Sequence, residues 1–121
     1  MSATFKDLRV WQVAMKFAVD VYQVTARFPR HELYGLSQQL RRAAVSVPSN
    51  IAEGKGHPSD GELGRFLLHA RGSLLEVQTQ IMIAKELQCL SNDEAQHVLA
   101  SADAIGRSLN SLINSMREKA A

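Results

Sequence analysis

The chain has 121 residues, 45% of them hydrophobic, 21% charged and 6% aromatic, which suits one globular domain with its own core and is too short for two. Fourteen Lys and Arg against twelve Asp and Glu leave a net charge of +2, which neither demands nor forbids an anionic partner. The single Cys89 rules out an intrachain disulfide and suits a reducing compartment; no apolar run nears the ~20 residues that span a bilayer and Met1 to Asp7 hold no signal-peptide core, so a cytoplasmic protein is expected.

In the first segment Trp11, Ala14, Ala18, Val21, Thr25 and Phe28 step by three and four, with Leu8, Val10, Phe17 and Val24 widening the stripe. This spacing predicts an amphipathic helix over about residues 7 to 27, ended by Pro29, which disfavours a helical residue before it and has no N–H to donate. Apolar positions resume at Leu33, Leu36, Leu40, Ala43, Ala44, Val47, Ile51 and Ala52, predicting a second helix to about Glu53. Pro48 falls inside it with the same face apolar on both sides, so a kink rather than a break is expected there.

Gly54-Lys55-Gly56-His57-Pro58 stops that helix, and Ser59 with Glu62 reads as a capping box opening a third. Leu63, Phe66, Leu67, Ala70, Leu74, Val77, Ile81, Ala84 and Leu87 carry its stripe. Ser91 with Glu94 forms a second box of the same kind, and Ala95, Val98, Leu99, Ala102, Ile105, Leu109, Leu112 and Met116 extend a fourth helix to about Glu118. No stretch alternates with period two. The expected fold is all-α, one domain over residues 1 to 121: an antiparallel, up-down-up-down, left-handed four-helix bundle with helix two kinked near Pro48.

No catalytic or cofactor motif is complete. The four histidines are far apart in sequence and no His-Glu-x-x-His occurs. One Glu-x-x-His, Glu94 to His97, lacks the second copy that a di-metal bundle needs, and Glu94 is already accounted for as a cap. Gly54-Lys55-Gly56 lacks the strand, the four-residue gap and the Lys-Ser/Thr ending of a P-loop. Gly61-Glu62-Leu63-Gly64 has the form of a GXXG clamp without the sheet that clamp sits on. No metal, cofactor, small-molecule substrate or enzymatic activity is expected.

Polar residues at helical spacing are more informative. Arg42, Ser46, Asn50 and Glu53 follow at steps of four, four and three on helix two, and His69, Ser73, Glu76 and Gln80 at steps of four, three and four on helix three, beside Arg71 and Gly72. A solvated face, or a hydrogen-bonded network or subunit contact that fixes helix register, accounts for them better than a catalytic cleft, because no nucleophile and base can be paired from these types. An enzyme using Glu53 or Glu76 with a histidine is the third reading. Gly72 in mid-helix costs about 1 kcal/mol against alanine, which suggests close approach of another helix or chain.

Certain phrases resemble a known family: Asp7-Leu8-Arg9-Val10-Trp11-Gln12, Phe28-Pro29, Tyr34-Gly35-Leu36, the run from Gln39 to Gly54 ending Asn50-Ile51-Ala52-Glu53-Gly54, Phe66-Leu67, and Ala70-Arg71-Gly72-Ser73-Leu74-Leu75-Glu76. They resemble the four-helix bundle proteins encoded by intervening sequences of bacterial 23S rRNA genes, in order and at the expected separation, from Phe5 to about Ile113. The resemblance implies a small cytoplasmic bundle without enzymatic activity. Its relatives include the accessory protein of diversity-generating retroelements, which assembles as a homopentameric barrel and is thought to bind nucleic acid through basic surfaces. Lys55 stands where the family has a basic residue, and the loop beyond it, with Gly56-His57-Pro58, Asp60 and Glu62, departs from the family's pattern.

Charge is uneven along the chain. Residues 1 to 47 carry seven basic and three acidic side chains, a net +4, and residues 48 to 121 carry seven and nine, a net −2. The leading expectation is a homo-oligomer, pentameric by resemblance, that binds structured RNA or DNA, or a nucleic-acid enzyme, through Arg9, Lys16, Arg41 and Lys55. Arg41 and Arg42 point about 100° apart, which leaves Arg41 for a surface contact and Arg42 for the polar stripe. The alternative is an oligomerisation or adaptor protein that binds no nucleic acid, in which Arg42, Ser46, Asn50, Glu53, Arg71, Ser73 and Glu76 form a polar network or subunit interface. With seven aromatic residues in all, charge and shape are expected to dominate over base stacking.

Overall fold

Hydrogen bonds local to the chain set where each helix starts and stops. In the computed structural model, which describes residues 4 to 120, the Thr4 hydroxyl accepts from the Lys6 N–H and the Thr4 N–H donates to Asp7, closing a 3-10 turn over Phe5–Asp7. Helix α1, Arg9–Thr25, follows and ends as the Thr25 hydroxyl donates to the Val21 carbonyl at 2.7 Å. Pro29 then leads into a 3-10 turn over Arg30–Glu32 and a π-turn over Leu33–Ser37.

Helix α2 is Gln38–Lys55, shorter at its start than the apolar spacing predicts. The cause is Gly35, whose φ of −108° and ψ of −107° are not helical and reorient the chain between the π-turn and α2. Pro48 lies inside α2, where it removes one helical N–H, and the helix is continuous past it. The non-helical backbone of this segment is therefore at the glycine.

Ser59 caps α3, Asp60–Glu86, by accepting from the Glu62 N–H at 3.1 Å. The return half of the expected box is not made, because the Glu62 carboxylate accepts from Arg65 at 2.9 Å instead. Before α4, Asn92–Ala120, both halves form: Glu94 N–H donates to the Ser91 hydroxyl at 3.1 Å and Ser91 N–H to the Glu94 carboxylate at 2.9 Å. Between α3 and α4, Gln88 N–H donates to Lys85 and Cys89 N–H to Ala84, a Schellman stop with Gln88 at φ 60° and Cys89 tucked under the helix end.

Among the described residues there are four α-helices and no strands, as the period predicts. The chief contacts place α1 against α2 and α4, and α3 against α2 and α4, so α1 and α3 lie diagonally across a four-sided arrangement. Phe17, Leu40, Ile51, Leu67, Leu74, Ile81, Ile105, Leu109 and Ile113 fill its centre. Each contributes about 1.5–3 kcal/mol by leaving water. Alanines at 14, 44, 70, 84 and 102 are fully buried and let the helices approach closely. Partners across a seam run in opposed order: Ser46 meets Ser73 and Gln39 meets Gln80 between α2 and α3, while Arg71 meets Asn110 and Gln78 meets Asp103 between α3 and α4. No helix among the described residues is long and apolar enough to cross a membrane.

Candidate interaction surface

The two polar stripes meet only in part. Ser46 Oγ and Ser73 Oγ are 2.8 Å apart, and Asn50 Nδ2 donates to Ser46 Oγ at 2.9 Å and to the Ser46 carbonyl at 2.8 Å. One heptad away on both helices, Gln80 Nε2 donates to Gln39 Oε1 at 3.3 Å, and the buried Gln80 Oε1 has no partner among the described residues. Two polar contacts a heptad apart oppose a slip of one helix along the other, because a slip strands half-buried polar groups. Gln39, three residues before Arg42 and seven before Ser46, continues the polar stripe of helix two by one turn. Arg42, Glu53 and Glu76 are exposed and take no part in this cluster. Arg71 turns the other way and donates to Asn110 at 3.0 Å on α4.

The expected phosphate contacts differ in how their charges are engaged. Arg41 is half-buried: its Nε donates to Thr25 Oγ1 at 2.8 Å, its Nη2 to the Tyr22 carbonyl at 3.4 Å, and its guanidinium lies 4.8 Å from the centre of the Tyr22 ring. Lys16 lies 3.3 Å from Asp20 on the same helix, and Arg27 pairs with Glu94 of α4. Arg9 begins α1 and Lys55 ends α2, both exposed and both without an ion-pair partner among the described residues.

Titration follows these contacts. The Glu94 carboxyl is held below its ordinary 4.5, first by the Ser91 backbone N–H and then by Arg27. Glu62 is lowered by its bond and charge interaction with Arg65, which is raised in return. Burial raises the Cys89 thiol, with the Glu32 charge adding to it, so this cysteine is a packing residue and a poor nucleophile. Among the described residues no group of three His, Cys, Asp or Glu could hold a metal ion.

One feature of the surface was not expected. Between the outer faces of α1 and α2 runs an open apolar groove of about 810 Å³, walled by Trp11, Met15, Val19 and Tyr22 on one side and Val45 and Pro48 on the other. Val19 is 50% exposed although it sits in the middle of this wall. Arg41 lies at one end, where the groove runs on into a smaller hollow bounded by Tyr34 and Arg42, and no acidic residue lines either. The signal was present as a second stripe, Met15, Val19, Tyr22 and Ala26 at steps of four, three and four, beside the stripe that forms the core.

The chain matches a family model described as 23S rRNA-intervening sequence protein over residues 6–111. Its fold is similar to that of a solved protein of unknown function from the S23 ribosomal protein family of Bacteroides thetaiotaomicron. The two share 19% identity with a TM-score of 0.78, covering 86% of this chain and 97% of that one. No curated protein matches the sequence.

Proposed function

The chain belongs to the 23S rRNA-intervening sequence protein family, and on that premise we propose that it is a non-enzymatic, up-down-up-down, left-handed bundle that works by associating with further copies of itself in the cytoplasm. The exposed apolar groove carries this reading. Large apolar hollows rimmed by tyrosine and arginine mark protein-binding surfaces, and Trp, Tyr, Met and Arg are the residue types enriched in them. The opposed order of partners across the two seams supports the up-down topology, and the missing N–H at Pro48 supports a bend in α2 there. A non-enzymatic role accords with Glu53 and Glu76 standing exposed, without an ion-pair partner among the described residues.

Nucleic-acid binding is the second reading, favoured by Arg9, Arg42 and Lys55, exposed cations without an ion-pair partner among the described residues, together with the net +4 of residues 1 to 47. In an assembly each of these charges is repeated once per copy, which multiplies phosphate contacts. Native mass with and without added structured RNA separates the readings. A multimer unchanged by RNA supports assembly alone, and a shift to a heavier species that is lost on Lys55→Ala with Arg9→Ala supports the second. A monomer in both conditions contradicts the first.

A further inference from the structure

The hollow beyond the arginine end of the groove differs from it in chemistry. It has a volume of about 340 Å³, within the roughly 300–1,000 Å³ of small-ligand sites, and opens where the end of α1, the π-turn and the first turns of α2 meet. Tyr34 lines it from the π-turn, directly before Gly35, whose non-helical backbone turns the chain there. The Tyr34 side chain is 87% exposed, so its ring adds almost nothing to the core and both its faces are open to a planar group. Gln38, also exposed, brings an amide that can donate and accept beside that ring.

Arg41 and Arg42 both line the hollow and no acid does. Arg41 is held in place by Thr25 and the Tyr22 carbonyl, which take two of its five N–H groups and leave three for a ligand. Arg42 is exposed and without an ion-pair partner among the described residues. Two acids come near without entering. Glu32 is half-buried and acts on the Cys89 thiol at the far end of the bundle's α3–α4 connection. Glu76, the acid nearest Arg42 across the α2–α3 seam by the register of Ser46 on Ser73 and Gln39 on Gln80, is not within ion-pair distance of it. One fixed and one free guanidinium suit a phosphate, whose oxygens match the guanidinium fork and whose charge can exceed one.

We infer that this hollow binds a nucleotide, with its phosphate on Arg41 and Arg42 and its base stacked on the Tyr34 ring. The nucleotide is either free or an unpaired residue of a strand, and in the second case the inference rests on the nucleic-acid reading and gives it a site. The exposed cations Arg9 and Lys55 offer charge alone; the hollow adds a ring and an amide to charge, which is what distinguishes a nucleotide from a bare anion.

Calorimetric titration of the full chain at low salt tests it with adenosine monophosphate, adenosine, inorganic phosphate and a single-stranded oligoadenylate. The monophosphate is expected to bind more tightly than adenosine or phosphate, and an oligoadenylate that binds more tightly still identifies a strand as the source, whereas one that does not identifies the free nucleotide. Tyr34→Ala and Arg42→Ala, both at exposed positions and checked for folding by circular dichroism, are each expected to weaken binding by roughly 10-fold, with Tyr34→Phe restoring it. Inorganic phosphate binding as tightly as the monophosphate, or Tyr34→Ala binding like the unaltered chain, would overturn the site. If structured RNA is bound and lost on Lys55→Ala with Arg9→Ala but kept by Tyr34→Ala and Arg42→Ala, the site is wrong while the nucleic-acid reading stands. If neither nucleotide, oligoadenylate nor structured RNA binds, both fail.

Discussion

Arg41 Nε donates to the Thr25 hydroxyl at 2.8 Å, tying the start of α2 to the end of α1. Thr25 in turn donates to Val21, so a charged group, a buried hydroxyl and a helix carbonyl form one chain of bonds. Arg41→Ala is therefore expected to destabilise the protein by about 1–2 kcal/mol, from the charge-assisted bond and the contact with Tyr22. Melting should fall by roughly 3 to 8 °C. Arg41→Lys should recover little of it, because an ammonium cannot bond Thr25 and cover the ring together. An unchanged melting temperature for Arg41→Ala would mean that the bond to Thr25 adds nothing to the fold and that the guanidinium is free for a surface contact.

Two glycines should answer alanine with opposite signs. At Gly54 a Cβ would come within 2.8 Å of Phe66 Cβ and 3.1 Å of Leu63, where α2 and α3 converge, so Gly54→Ala is expected to cost about 1–3 kcal/mol despite alanine's better helix propensity. At Gly72 the space is open, and Gly72→Ala should stabilise the chain by about 0.5–1 kcal/mol. Denaturant melts of both variants check the pair. Stabilisation at Gly54 would show that α2 and α3 have room for a methyl group beside Phe66.

Gln88 holds a left-handed backbone at φ 60°, the position of a Schellman stop that glycine normally occupies. Gln88→Gly relieves a side-chain strain of about 1–2 kcal/mol and adds the unfolded-state freedom of glycine, for a net gain of roughly 0.5–1 kcal/mol. A chemical melt measures it, and a loss of stability would mean that Gln88 makes a compensating contact.

The Glu94 carboxylate caps α4 and pairs with Arg27, and its pKa is lowered from 4.5 by both. A lowered carboxyl stabilises the fold fully above its unfolded value of 4.5, and that contribution is lost as pH falls through the lower folded value. Glu94→Gln should therefore melt below the unaltered protein at pH 7, with a difference on the order of 1 kcal/mol, and approach it in acid. A difference that persists undiminished well below pH 4.5 would mean the cap acts without its charge.

The sequence marks the helices well because a three-four apolar spacing and a capping serine are local signals. Ser91 and Glu94 show this fully, and Ser59 half so, since Arg65 one turn on competes for Glu62. Gly35 hides the boundary of α2: the apolar positions Leu33 and Leu36 fit a helix, while the backbone between them departs from one. Periodicity also records that a face is apolar without recording what covers it. Leu87 extends the inward stripe of α3 in sequence and is exposed in the fold, and Val19 and Leu75 lie on second stripes that no helix of the same chain covers. The cations were legible as charges, but Lys16, Arg27 and Arg41 lost their freedom to partners that only the folded structure brings near.

Self-association is the central claim, and sedimentation of the unaltered chain over a range of concentrations and salt tests it most directly. Association through an apolar groove predicts a discrete multiple of 13.4 kDa that persists at high salt, where contacts held by charge alone would be screened. A particle of 13.4 kDa at every concentration would contradict it.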